Sequence, residues 1–280
     1  MLYAAQLQTL IEQHGLTPHL YADDTQIYGS CRPSDIGALA SRLVNCVSDI
    51  ASRMCSNRLQ LNIDKTDLLW CTAPRRQHQL PTEALSLGVC NILPSHTVRN
   101  LGVLFDADLS LRSHIDAVVS RCFAALRQLR SIRRYVTAPV LQTLVTSLLL
   151  TRLDFCNGLL FGLPANQIRR LQSVQNAAAR LIFNLRRSEH ISDALVNLYW
   201  LCIPERIRFK MAVLVYRVLH GLAPSFILTI LLRCQLSRGV RIYVRRRLTD
   251  CSFLAVDFLP SVIVPFRLLV LQSGTTCQWT

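Results

Sequence analysis

The chain has 280 residues, of which 51% are hydrophobic and 17% are charged, so it can bury the core of one large or two modest domains. Its formal charge is +14, and because Lys65 and Lys210 are its only lysines, arginine supplies almost all of the basic excess. Arginine forks match phosphate geometry and stack on bases, so this composition favours a polyanionic partner, with nucleic acid ahead of an anionic membrane surface.

The cysteines argue against a disulfide-linked secreted protein, and the apolar segments argue against a membrane-spanning one. Eleven cysteines are scattered without a CxxC pair, and no secretory leader opens the chain, so we expect reduced intracellular thiols. Cys71, His78, Cys90 and His96 match no usual zinc-finger spacing. The best apolar run, residues 140–150, is about half as long as the ~20 residues that a membrane span needs, so none is predicted.

The first element is a β-hairpin over residues 19–28, HLYADDTQIY. Apolar and aromatic residues on both sides predict two short strands, which puts Asp23 and Asp24 at the tip. Adjacent carboxylates on such a turn suit Mg²⁺, and two such ions stabilise the attacking and leaving oxygens of a phosphoryl transfer. The alternative is a polar hairpin bend without chemistry.

A long amphipathic helix follows the hairpin. Apolar residues recur at three- and four-residue steps between Ile36 and Met54, and Ser34 stands where an N-cap belongs. Residues 59–62 and 67–71 are predicted to be extended segments around Lys65, and residues 74–83 a polar loop.

The predicted secondary structure changes near residue 112, from mixed strands and helices to helices alone. Residues 98–111 are predicted to form a strand, a turn at residues 106–108 and a second strand. Apolar stripes at helical spacing then cover residues 113–136, 139–160, 165–186 and 191–219, with prolines and glycines between them. The segment from about residue 235 is strongly basic and has no usable period.

Three segments, in this order, resemble the reverse transcriptases of retrotransposons without long terminal repeats. TPHLYADDTQIYG at residues 17–29 resembles the YxDD motif in its YADD form. LQLNIDKTDLLW at residues 59–70 is similar to the next motif, in which an asparagine and a Lys-Thr pair precede a tryptophan. VRNLGVLFDADLS at residues 98–110 is similar to the hairpin that grips the primer strand.

The likeness extends over about residues 5–235. Further stretches resemble the thumb and post-thumb region of the same enzymes: SHI at 113–115, RLDFCN at 152–157, GLP at 162–164, LQSVQNAAAR at 171–180, WLCIPERIRFK at 200–210 and GLAPS at 221–225.

This resemblance implies an α+β fold and a role in RNA-directed DNA synthesis. Residues 1–112 would form a partial polymerase palm, a β-hairpin plus a helix, residues 113–235 an all-helical thumb-like region, and residues 236–280 a basic tail of unknown fold. Asp23 and Asp24 would be catalytic ligands of Mg²⁺, Lys65 would protonate the pyrophosphate leaving group, and Leu101 and Gly102 would lie in the primer-grip-like hairpin. The implied partners are an RNA template, a DNA primer and dNTP, and the implied location is nuclear.

The chain also departs from the family pattern. Met1 stands about twenty residues before the YADD turn, so we expect the fingers and the strand with a further metal-binding aspartate to be missing. Because two-metal chemistry needs that carboxylate, we expect the chain to be inactive alone. Tyr199 and Cys202 replace the family's usual histidine and proline, and the likeness is lost after about residue 255, which is typical of a decaying sequence.

Two other interpretations of the whole chain stay open. One is a basic nucleic-acid-binding fragment without chemistry, since the arginines neutralise phosphates whatever the base sequence. The other is a retroelement remnant without a role, whose unpaired palm edges promote aggregation. Lys65 could also be a solvated surface charge without a role in chemistry. The hairpin at 98–111 could also be an ordinary structural hairpin.

Overall fold

The computed structural model describes residues 2–21, 24–59, 61–87, 90–224 and 266–272. The fold is mixed α+β, which confirms the predicted class. The described residues divide into two compact units. The first runs to Ser113 and includes the strand at 266–272, and the second runs from His114 to residue 224.

The first unit contains two helices and eight strands in its described part. They are α1 (Leu2–Gln13), β1 (Thr17–Tyr21), β2 (Asp24–Cys31), α2 (Ile36–Ser56), β3 (Thr66–Cys71), β4 (Leu85–Leu87), β5 (Cys90–Ile92), β6 (Thr97–Asn100), β7 (Val103–Asp106) and β8 (Phe266–Gln272). The main sheet has the order β1-β2-β8-β3, and every neighbouring pair in it is antiparallel. Strand β8 therefore lies between β2 and β3, although its sequence carried no usable period.

Helix α2 supplies much of the core of the first unit. The predicted apolar stripe is confirmed, since its buried residues are Leu39, Leu43, Cys46, Val47, Ile50 and Met54. The predicted N-cap at Ser34 is wrong. Proline favours the first turn of a helix, and the segment Pro33–Asp35 forms a 3-10 turn that leaves Asp35 as the residue before α2.

Two further predictions for the first unit need correction. Residues 59, 61 and 62 form no strand, although β3 confirms the extended segment at 67–71. The hairpin at 98–111 exists, but its turn is at Leu101 and Gly102 rather than at residues 106–108, because β7 ends at Asp106. Leu101 and Gly102 have φ values of +44° and +86°, as a two-residue turn that matches the strand twist requires.

The second unit is helical throughout its described part. Its elements are α3 (Arg112–Ile132, which begins at the end of the first unit), α4 (Ala138–Val145), a π turn (Thr146–Leu150), α5 (Thr151–Asp154), α6 (Ala165–Phe183), α7 (Ser192–Asn197) and α8 (Ile203–Leu219). The apolar run at 191–219 is predicted as one helix but forms two, because the left-handed backbone at Tyr199, where φ is +56°, interrupts the helix between them.

Two glutamines of the LQSVQNAAAR segment hold the start of α8. The Gln175 side chain is fully buried, and its Nε2 donates to the carbonyl oxygen of Leu201 at 2.9 Å. Gln172 Oε1 accepts the amide hydrogen of Ile203 at 2.7 Å. These bonds satisfy backbone groups at the α7–α8 connection, so this part of the motif has a structural role in the second unit.

Arg206 joins α8 to α5 through a bidentate pair with Asp154. Arg206 Nε donates to Asp154 Oδ1 at 2.8 Å, and Arg206 Nη2 donates to the second carboxylate oxygen.

Within the described ranges, no helix combines the length and the apolar character that crossing a membrane requires.

Gly29 lets α2 pack closely against β2. A Cβ at this position would lie 2.6 Å from Leu39 Cδ1 and 3.1 Å from Leu16 Cδ2. Both leucines are buried, so neither side chain can move away without disturbing the core.

We expect Gly29→Ala to lower the free energy of unfolding by about 1–3 kcal/mol, because the added methyl group overpacks this contact. Urea denaturation monitored by circular dichroism measures the change. Gly37→Ala is the matched control, since nothing lies within 4 Å of its added Cβ and the position is in α2. The control is expected to be neutral or stabilising by up to about 1 kcal/mol; equal losses in the two variants would contradict the packing argument.

Candidate functional site

The YADD segment joins the first two strands of the main sheet. Tyr21 pairs with Asp24 across the β1–β2 hairpin, so only Ala22 and Asp23 connect the strands. Both connecting residues lie outside the described residues. Asp24 is the first residue of β2 and is half-buried, whereas Tyr21 is exposed.

Asp24 and Lys65 lie at the same end of the sheet. Gln272 of β8 pairs with Thr25 of β2 on one side and with Thr66 of β3 on the other. Asp24, the first residue of β2, and Lys65, the residue before β3, immediately precede this row, and only β8 separates the two strands. At about 4.8 Å between neighbouring strands, their backbones are roughly 10 Å apart. The structure therefore brings together two residues that are 41 positions apart in sequence.

The position of Lys65 is set by the turn before β3. Ile63–Lys65 is a 3-10 turn, in which the Lys65 amide donates to the Asn62 carbonyl at 3.3 Å. The buried Thr66 hydroxyl donates to the same carbonyl at 2.8 Å. The asparagine and the Lys-Thr pair of this motif thus form one local structure, which leaves the lysine side chain exposed.

A half-buried polar network connects the YADD hairpin to the second hairpin. Gln26, which is 2% exposed, donates from Nε2 to Asn100 Oδ1 at 2.8 Å. Its Oε1 accepts a hydrogen bond from the Tyr28 hydroxyl, and burial raises the pKa of this tyrosine. Gln26 is two residues after Asp24, and Asn100 directly precedes the Leu101–Gly102 turn. The network therefore holds the start of the Leu101–Gly102 turn against strand β2 of the YADD hairpin.

Asp106 anchors the far end of the second hairpin. Its carboxylate accepts hydrogen bonds from Thr97 Oγ1 at 3.1 Å, from Ser110 Oγ at 3.3 Å and from the Ser113 amide at 3.1 Å. Burial acts to raise the pKa of Asp106, but the hydrogen bonds from Ser113, Thr97 and Ser110 outweigh it and lower the pKa below its ordinary value of 3.8. Asp106 caps the start of α3 instead of forming a hairpin bend.

The described residues do not complete a magnesium site. A two-ion site draws carboxylates from more than one strand. The strand beside β2, on the side away from β1, is β8, whose sequence FRLLVLQ contains no aspartate or glutamate. Among the described residues, no three histidine, cysteine, aspartate or glutamate side chains converge as a metal ion requires. Asp24 is the only carboxylate of the YADD pair whose position is known.

Three cysteines in the described part of the first unit, Cys31, Cys46 and Cys55, form no disulfide bond. Burial and the nearby Asp49 charge raise the pKa of Cys46 to about 12, so this thiol stays protonated and is a poor metal ligand at neutral pH.

Sequence reasoning missed Gln26, Asn100 and Asp106 as the residues that connect the candidate elements. The available signal was a buried-strand pattern interrupted by polar residues, since Thr25 and Gln26 precede Ile27 and are as buried as it is. A polar side chain within such a run needs a hydrogen-bond partner. The partner itself lies 74 residues away, beyond the reach of any local pattern.

No protein-family model, no curated protein and no solved structure matches this chain. The interpretation of the site therefore depends on the motifs and on the geometry described above.

We expect Gln26→Ala to lower the free energy of unfolding by about 1–3 kcal/mol, since it leaves the half-buried Asn100 and Tyr28 side chains without this hydrogen-bond partner. Urea unfolding of Gln26→Ala, Asn100→Ala and the double variant gives the coupling energy of the pair, expected to be at least about 0.5 kcal/mol. Gln79→Ala, at an exposed position, is the control and should change stability by no more than about 0.5 kcal/mol. Additive losses from the two network residues would show that the bond contributes nothing.

We expect Asp106→Asn to lower stability at pH 7 by about 0.5–2 kcal/mol, the range measured for helix-capping residues. Because the folded-state pKa is depressed, the carboxylate stabilises the fold above its ordinary pKa of 3.8, and this stabilisation is lost as pH falls through the lower folded-state pKa. The difference between wild type and variant should therefore shrink below about pH 4.

Thermal melts from pH 7 to pH 2.5 measure this difference. Asp108→Asn is the control, since Asp108 accepts one hydrogen bond, from the Ser110 amide at 3.0 Å. A constant difference between wild type and Asp106→Asn at all pH values would contradict the assigned role.

Proposed function

We propose that this chain is the palm-to-thumb portion of a non-LTR retrotransposon reverse transcriptase and that, by itself, it binds nucleic acid without synthesising DNA. The observation that carries the proposal is the common position of Asp24 and Lys65 at one end of the main sheet, each one residue before the row Thr25–Gln272–Thr66. The two segments that resemble consecutive polymerase motifs thus lie at the same end of one sheet, which supports the proposal.

The second hairpin supports the same proposal. Its turn, Leu101–Gly102, follows Asn100, and Asn100 is hydrogen-bonded to Gln26 on the YADD hairpin. A primer-grip element must keep a fixed position relative to the residues that hold the primer end, because reacting groups tolerate little misplacement. The half-buried Gln26–Asn100 bond provides such a connection within the first unit.

The proposed lack of DNA synthesis follows from the strand that pairs with β2. A phosphoryl transfer with two ions stabilises both the attacking and the leaving oxygen, and each ion needs oxygen ligands, of which carboxylates are the usual protein source. Strand β8 pairs with Thr25–Cys31 of β2 and offers no carboxylate there. We therefore assign no catalytic step to Asp24 or Lys65 in this chain alone.

The distribution of charge supports nucleic-acid binding by the helical unit. Residues 1–113 contain nine lysines and arginines against ten aspartates and glutamates. Residues 114–224 contain fifteen basic residues against five acidic ones. The basic excess of the described chain is therefore confined to the second unit, where it would neutralise backbone phosphates.

The proposal is tested with the full chain and a labelled primer annealed to an RNA template. We expect binding by fluorescence anisotropy whose logarithmic affinity falls linearly with the logarithm of the salt concentration. Replacing Asp23 and Asp24 together by asparagine should leave the affinity unchanged or raise it, because two negative charges are removed. With dNTP and Mg²⁺ added, we expect no extension of the primer.

Two results would contradict parts of the proposal separately. A flat response to salt would refute electrostatic binding of nucleic acid. Primer extension that Asp23→Ala abolishes would refute the lack of synthesis and make the chain an enzyme. The family assignment has its own test, since the nucleotide sequence upstream of the Met1 codon should encode further palm motifs.

A further inference from the structure

A basic cleft lies in the second unit, where the ends of three helices meet. It is formed by the end of α3, by Arg133 and Arg134 of the following 3-10 turn, by the start of α4 and by the end of α6, and its volume is about 680 Å³. This volume is within the range of ligand pockets, about 300–1,000 Å³. Arg130, Arg133 and Arg134 line the cleft together with the buried Leu141 and Ile182.

The arginines of the cleft have few acidic neighbours along the chain. Six arginines and no aspartate or glutamate lie between Asp116 and Asp154, and four of the six fall within residues 127–134. A positively charged side chain near the C-terminal end of a helix stabilises the helix, and one or two arginines would be enough for this at the end of α3. A cluster of this density, exposed at Arg130 and Arg134, exceeds what helix capping requires and suits an anionic ligand.

The cleft is also partly pre-organised. Arg133 Nη1 donates to the side-chain oxygen of Asn184, which holds the left-handed position at the end of α6 with φ of +58°. Because a guanidinium has five N–H donors, this bond leaves others for a phosphate. The Arg134 guanidinium carbon is 5.0 Å from the centroid of the Tyr135 ring, and Tyr135 remains 73% exposed.

We propose that this cleft binds single-stranded nucleic acid, with backbone phosphates on Arg130 and Arg134 and a base stacked on Tyr135, which lies beside the cleft next to Arg134. Arginine forks beside an exposed aromatic ring are the combination that recognises unpaired strands, since the ring stacks on any base. The inference rests on the proposed binding of nucleic acid and gives that binding a location in the second unit.

The test measures binding of the full chain to a labelled twelve-nucleotide RNA across a salt series. Arg130→Gln with Arg134→Gln should weaken binding about ten-fold or more and reduce the salt slope by about 1.4, the value for two phosphates on a single strand. The matched control is Arg208→Gln with Arg217→Gln, which removes the same charge from exposed positions on α8. This control should weaken binding by no more than about two-fold.

Tyr135 is tested by two substitutions. Tyr135→Ala should weaken binding about five-fold or more, whereas Tyr135→Phe, which keeps the ring, should stay within about two-fold of wild type. Circular dichroism melts check the fold of each variant. If the glutamine pair unfolds, Arg130→Lys with Arg134→Lys replaces it, and this pair should weaken binding while keeping the salt slope.

The possible results separate this inference from the proposed function. Equal weakening by the two glutamine pairs would overturn the cleft as a site, while nucleic-acid binding by the chain would stand. Binding of phosphatidylserine vesicles, but not of RNA, that depends on Arg130 and Arg134 would overturn it in favour of a membrane surface. A wild-type chain that binds no nucleic acid at all would refute the proposed function itself.

Discussion

The pairing of β8 with both β2 and β3 is the constraint on which the first unit depends. Strands β2 and β3 do not pair with each other, so β8 alone sets their relative register. Slipping one strand by a single residue would turn every side chain to the opposite face and move its end by about 3.3 Å. The common position of Asp24 and Lys65 at one end of the sheet therefore depends on a strand from the opposite end of the chain.

The two hairpins of the first unit are connected by polar rather than apolar contacts. Gln26 and Asn100 place an amide–amide hydrogen bond in a region where Ile27, Leu69 and Val98 are buried. A polar bond inside a core costs much if it is broken and adds little net stability if it is kept. Such a bond specifies one arrangement of the hairpins more than it strengthens the fold, which is the property that a site made of separate elements needs.

The sequence predicted the elements that form between residues close together in the chain. The α2 stripe and the YADD hairpin follow from periodicity and from pairing between adjacent segments. The turn of the second hairpin was misplaced, because acidic residues at 106–108 are typical of a bend and Leu101 is an unusual residue at positive φ. Strand β8 was missed, since FRLLVLQ has neither alternation nor helical spacing and its partners are more than 190 residues away.

The residues of the candidate site also fall into two groups, those that local sequence predicts and those that it does not. The positions of Asp24 at the start of β2 and of Lys65 just before β3 could be predicted from their motifs. The Gln26–Asn100 bond and the cap by Asp106 could not, because each depends on tertiary contacts.

The order of the strands along the chain affects how the first unit is synthesised. Strand β2 leaves the ribosome 235 residues before β8 begins, which at about 5–20 residues per second is roughly 10–50 s. During that interval the edges of β2 and β3 that pair with β8 lack their partner, and such unpaired strand edges favour association with other chains.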